Sequence, residues 1–99
     1  MKVVFLDGAR IGGMTDVFAA FDEAVGLPPG CGKNMDALHD VLTERTDEIG
    51  VIIVNIDELH LALGRRFNGF MRLMNDLTRE RAEFYFSDDP FALSQTENP

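Results

Sequence analysis

The alternation of apolar and polar positions divides the chain into short blocks of two kinds. Val3-Val4-Phe5-Leu6 is a continuous, partly β-branched apolar run and predicts a buried strand closed by the turn signal Asp7-Gly8. Gly12-Gly13 ends a loop. Thr15 is then a candidate helix N-cap, with Val17, Phe18, Phe21 and Val25 spaced for one buried side. Gly26 closes that helix, and Leu27-Pro28-Pro29-Gly30 prevents its continuation. Asn34 reads as the N-cap of a second helix whose buried stripe is Met35, Leu38, Val41 and Leu42, ending near residues 43–45. Val51-Ile52-Ile53-Val54-Asn55-Ile56 is apolar without alternation and predicts a strand buried on both faces. Asp57 is a candidate cap for a short helix carrying Leu59, Leu61, Ala62 and Leu63, ended by Gly64. Phe67, Phe70, Met71, Leu73, Met74 and Leu77 form a wide helical stripe, and Glu83-Phe84-Tyr85-Phe86-Ser87 a last strand. Strands separated by helices predict an α/β fold: a small three-stranded parallel sheet packed with about four helices.

The polar residues of the second helix change the picture. Asp36, Asp40 and Glu44 recur every four residues and share one face. Asp36 is favoured near the helix start, but like charges four apart cost roughly 0.2–0.5 kcal/mol per pair. Such a stripe is either a solvated face or a surface displayed to a cationic partner.

The stretch Gly32-Lys33-Asn34-Met35-Asp36-Ala37-Leu38-His39-Asp40, with Leu27-Pro28 upstream, resembles the signature of the barstar family, intracellular inhibitors of a secreted bacterial ribonuclease. Val3-Val4-Phe5-Leu6-Asp7-Gly8, Ile11 and Thr15-Asp16 resemble the family's first strand, turn and helix start. The resemblance covers most of residues 1–88 and implies three parallel strands and four helices, with residues 1–89 as the domain. Residues 90–99 then read as a loosely ordered tail.

That resemblance implies a surface that plugs a ribonuclease active site, with acidic side chains standing in for substrate phosphates. By position, Asp36 and Asp40 are the two central acids, and Asp40 is the deeper plug. Gly32 and Asn34 shape the turn and offer backbone contacts, and Gly30 precedes them in it. Met35 and His39 flank the acids, and Thr43 and Glu44 lie at the far end. Asp76 and Glu80 on the later helix are secondary acidic contacts. The chain departs from the family at four contact positions. Gly30 and Cys31 replace paired aromatics, His39 replaces an aromatic, and Lys33 replaces an acid.

Composition narrows the partner further. Seventeen acidic and 9 basic residues give a formal net charge of −8. This argues against direct nucleic-acid binding and against an anionic membrane surface, and suits a basic protein such as a barnase-type or other bacterial ribonuclease. No apolar run is long enough to span a membrane, and the N-terminus turns acidic too soon for a signal peptide, so a cytoplasmic location is expected. The family resemblance and the modest exposed apolar content expected after folding imply a monomer when free. The one cysteine, Cys31, has no internal partner, and reads either as a small turn residue or as a reactive thiol beside Lys33.

Catalytic patterns are weak. Two histidines and one cysteine match no zinc spacing, only Ser87 and Ser94 are available as serine nucleophiles, and no phosphate-loop motif occurs. No cofactor, metal or enzymatic activity is expected. Asp36, His39 and Asp40 as a divalent-ion set form a weak third reading. The two main readings are an immunity-type ribonuclease inhibitor and a barstar-folded interaction module with a non-nuclease partner.

Overall fold

A computed structural model describes residues 1–88. The elements in chain order are β1 (Lys2–Asp7), α1 (Met14–Val25), α2 (Met35–Glu44), β2 (Ile49–Val54), α3 (Ile56–Leu63), a 3-10 turn (Gly64–Arg66), α4 (Phe67–Glu80) and β3 (Phe84–Ser87). The strands form one parallel sheet in the order β1-β2-β3, with Val4 opposite Val51 and Val51 opposite Phe86. This is the expected α/β architecture of three parallel strands and four α-helices. The expected tail, residues 90–99, lies outside the described residues.

Strand alternation sends Val4, Leu6, Ile49, Val51, Ile53 and Phe84 to one face, where all are buried. The buried sides of α1 (Val17, Phe21), α2 (Leu38, Leu42), α3 (Leu59, Leu63) and α4 (Phe70, Met74, Leu77) join them in one core. The opposite face is open: Val3, Phe5 and Tyr85 are each nearly half exposed. This corrects the expectation of two-sided burial for β2. Val51 and Ile53 are fully covered, whereas Ile52 and Val54 are only partly so. The apolar run reflects a central strand with a neighbour on each edge, not helices on both faces.

Several boundaries also differ from expectation, and β2 runs Ile49–Val54, two residues earlier than the apolar run 51–56. α1 starts at Met14 with Gly13 in the cap position, and Asp16 instead turns back to accept from the Gly12 N–H at 2.7 Å. Asn55 leaves the strand in the left-handed region (φ 55°) and α3 begins at Ile56, so Asp57 sits in the first turn rather than at the cap. β3 begins at Phe84, not Glu83. An asparagine tolerates the left-handed region because its side chain can bond locally. Here Asn55 donates to Asp7 Oδ1 at 2.8 Å and so ties the ends of β1 and β2.

Two polar junctions fix α2 against this frame. Arg45, just past its C-terminus, forms a fork with Asp47 (2.9 and 2.7 Å) and also donates to the Gly26 carbonyl at 3.2 Å. Lys2 adds a contact to the same carboxylate at 3.2 Å. Arg81, only 6% exposed, donates to the Leu42 carbonyl at 3.2 Å and to the Asp47 carbonyl. A buried guanidinium is costly unless its donors are met, and these carbonyls meet them. The end of α2, the link to β2 and the C-terminal end of α4 are thereby held as one unit. Among the described residues no helix is long and apolar enough to cross a membrane.

Candidate functional site

The loop before α2 sets where its acidic face points. Gly30 has φ 82°, which favours a residue without a side chain, and the Cys31 N–H donates to the Pro28 carbonyl at 3.0 Å. A side chain at Gly32 would come within 3.1 Å of the Asn34 amide. Asn34 is in extended conformation and its Oδ1 accepts from the Ala37 N–H at 2.8 Å, so the expected N-cap is formed. Upstream, the Asp22 side chain accepts from the Leu27 N–H at 2.9 Å and secures the exit from α1.

α2 then buries Leu38 and Leu42 and packs along α4, with Met35 partly buried and lying over Gly69. Met35 and Val41 belong to the stripe that the spacing predicts to be buried, but both are only partly covered. Asp36, Asp40, Thr43 and Glu44 are exposed. The Asp40 side chain is 81% exposed, and its one ionic neighbour among the described residues is His39 Nδ1, at 3.9 Å. Asp36 and Glu44 have no ion-pair partner among the described residues. The Thr43 hydroxyl donates back to the His39 carbonyl at 2.7 Å and is held within its own helix.

The two acids expected on α4 behave differently. Glu80 lies 2.9 Å from His39 Nε2, so the structure joins these two across the α2–α4 seam. Asp76 is paired with Arg79 one turn along its own helix and does not join the α2 carboxylates directly. The family resemblance implies His39 as a flank of the central acids and Glu80 as a secondary contact, without a link between them. Their contact spans 41 positions, and no local pattern signals it.

Arg66 belongs to a basic pair, Arg65-Arg66, that the sequence alone reads as a solvated rather than a functional feature. With Lys33, Asn34, Met35 and Asp36 it borders a recess of about 360 Å³ floored by Met14 and Phe18. The pair Arg65-Arg66 was visible in the sequence, but only the 3-10 turn before α4 brings the second arginine to the start of α2.

Among the described residues no three His, Cys, Asp or Glu side chains converge so as to hold a metal ion, so Asp36, His39 and Asp40 do not form a ligand set. Cys31 is partly exposed, and its Sγ lies 3.5 Å from the Gly32 carbonyl. The site therefore offers a rigid face of carboxylates with a small basic recess at one end. This geometry can pair with cationic side chains.

A family model described as Barstar (barnase inhibitor) matches residues 1–89. Among curated proteins, none matches the sequence.

Proposed function

Because the chain belongs to the barstar family, we propose that it is an acidic inhibitor that blocks the active site of a basic ribonuclease of bacterial type. The observation that carries this is the α2 face. Asp36, Asp40 and Glu44 stand exposed on one side of a helix whose backbone is fixed at both ends, by Asn34 and by Arg45 and Arg81. Carboxylates already held in place lose little ordering entropy on binding. A phosphate-binding site of Arg, Lys and His groups can take them as charge-assisted acceptors. Asp36 and Asp40 are the central plugs, with Gly30, Gly32, Asn34, Met35, His39, Thr43 and Glu44 around them. Asp76 and Glu80 act from α4, Glu80 partly through His39. Residues 1–89 are the working unit, a monomer when free and acting in the cytoplasm.

The test is a titration of a barnase-type ribonuclease with the chain, reading residual RNA cleavage. Stoichiometric inhibition is expected. Asp40→Ala should weaken it by about 2–5 kcal/mol, the general cost of truncating one member of a desolvated charge pair. Unchanged inhibition by the variant would refute the placement of the site.

Lys33 together with Gly30, Cys31 and His39 favours a second reading, a barstar-folded module with a non-nuclease partner. These positions lack the aromatic anchors that often dominate an interface. Cross-linking in a native lysate that captures a partner without nuclease activity, through α2, would support that reading.

A further inference from the structure

The recess at the start of α2 has a charge pattern opposite to that of the molecule. Lys33 comes from the loop before α2 and Arg66 from the 3-10 turn before α4. They are far apart in sequence, yet they border the same recess. Both are exposed, and neither has an ion-pair or hydrogen-bond partner among the described residues. Asp36 shares the rim, so the recess is net positive on a chain whose formal net charge is −8. Its floor, Met14 and Phe18, is buried and apolar, and a group seated there would be partly shielded from solvent, where ionic contacts strengthen.

We propose that this recess is a docking point for one acidic side chain, aspartate or glutamate, of the partner protein, held between Lys33 and Arg66. The proposal takes the α2 face as the interface, and it adds a rule for which partner fits. A matching surface alternates in sign along α2: an acid opposite Lys33 and Arg66, then cations opposite Asp36 and Asp40. A uniformly basic surface would meet two unpaired cations here, and that juxtaposition disfavours wrong partners more than it adds affinity to the right one. In place of bulky anchors at Gly30 and Cys31, selectivity rests on charge register.

The recess can be tested without the partner. The amide NMR spectrum of the full chain is followed during titration with the blocked tripeptide glycyl-glutamyl-glycine, with glycyl-glutaminyl-glycine as the neutral control. Saturable shifts confined to residues 33–37 and 66, several-fold larger for the glutamyl peptide, are expected. They should collapse in Lys33→Gln/Arg66→Gln and grow in Asp36→Asn, while the rest of each spectrum shows that the variant is folded. Equal responses to the two peptides, or shifts that persist in the double variant, would overturn the proposal. Loss of ribonuclease inhibition in Asp40→Ala is read separately, so the inhibitor function and the recess can fail independently.

Discussion

Asp47 takes ion pairs from two cations, Arg45 and Lys2. The Arg45 fork is the main reason its carboxyl is held far below the usual carboxylate range, with Lys2 adding to the effect. Asp7 shifts the same way, chiefly through the Asn55 amide and then the Ala9 N–H. In both cases the folded state favours the charged form. The stabilisation is therefore fully present above the ordinary carboxylate range, near pH 4, and is lost as pH falls through the lowered values. Urea midpoints measured across the acidic range should fall for the native chain and fall less steeply for Asp47→Asn. Parallel curves would show that the junction contributes nothing to acid stability. The pairing of Arg45 with Asp47 could be read from two neighbouring opposite charges. That Arg81 also closes on this segment could not, because it reaches back from the C-terminal end of α4.

At the scale of elements, local chemistry was legible wherever a helix end or turn is set by one or two side chains. The Asn34 cap and the breaks at Gly26 and Gly64 needed no tertiary information. Asn34→Ala should cost about 1 kcal/mol, and a loss of that size lowers the Tm of a domain this small by roughly 4–8 °C. Retention of the wild-type Tm would mean that packing against α4 alone holds α2. The joint between β1 and α3 depends on a closer contact. A Cβ on Gly8 would lie 2.1 Å from the Asn55 carbonyl oxygen and 2.5 Å from the Leu59 nitrogen. Both are backbone atoms and cannot give way locally, so Gly8→Ala should destabilise by about 1–3 kcal/mol or more in chemical denaturation. An unchanged midpoint would place that turn differently. In the sequence, Asp7-Gly8 signals only a turn. The demand that nothing larger than hydrogen fit there comes from Asn55 and Leu59, which are distant in the chain. The two-sided burial expected of β2 failed for a related reason. An apolar run reports that a strand is surrounded, but not whether its cover comes from helices or from neighbouring strands.

For the molecule as a whole, the acidic excess and the basic recess act over different distances. The net charge of −8 creates a field that reaches beyond contact, whereas Lys33 and Arg66 act only on a docked surface. Salt screens charges over about 8 Å at physiological ionic strength, so it should weaken steering more than the formed contact. Stopped-flow association with a basic ribonuclease should slow steeply as salt is raised, while dissociation changes little. A dissociation rate that carries most of the salt effect would contradict steering by the acidic face. The fold and its acidic helix were readable because both are written in short-range periodicity. The recess was not, since it exists only once the chain has folded and two basic residues distant in sequence come to border it.

The parallel sheet has one more consequence, for how the chain reaches this state. Its pairings join residue 2 to residue 49 and residue 49 to residue 84, and neither is a hairpin. No strand can find its neighbour by a short turn, so loop closure must be paid before any sheet contact repays it. Among the described residues β2 is the central strand, and both strand pairings run through it. Loop-closure entropy thus weighs against either pairing forming alone, and the high sequence separation of the sheet contacts favours slower folding than in an all-helical chain of this length.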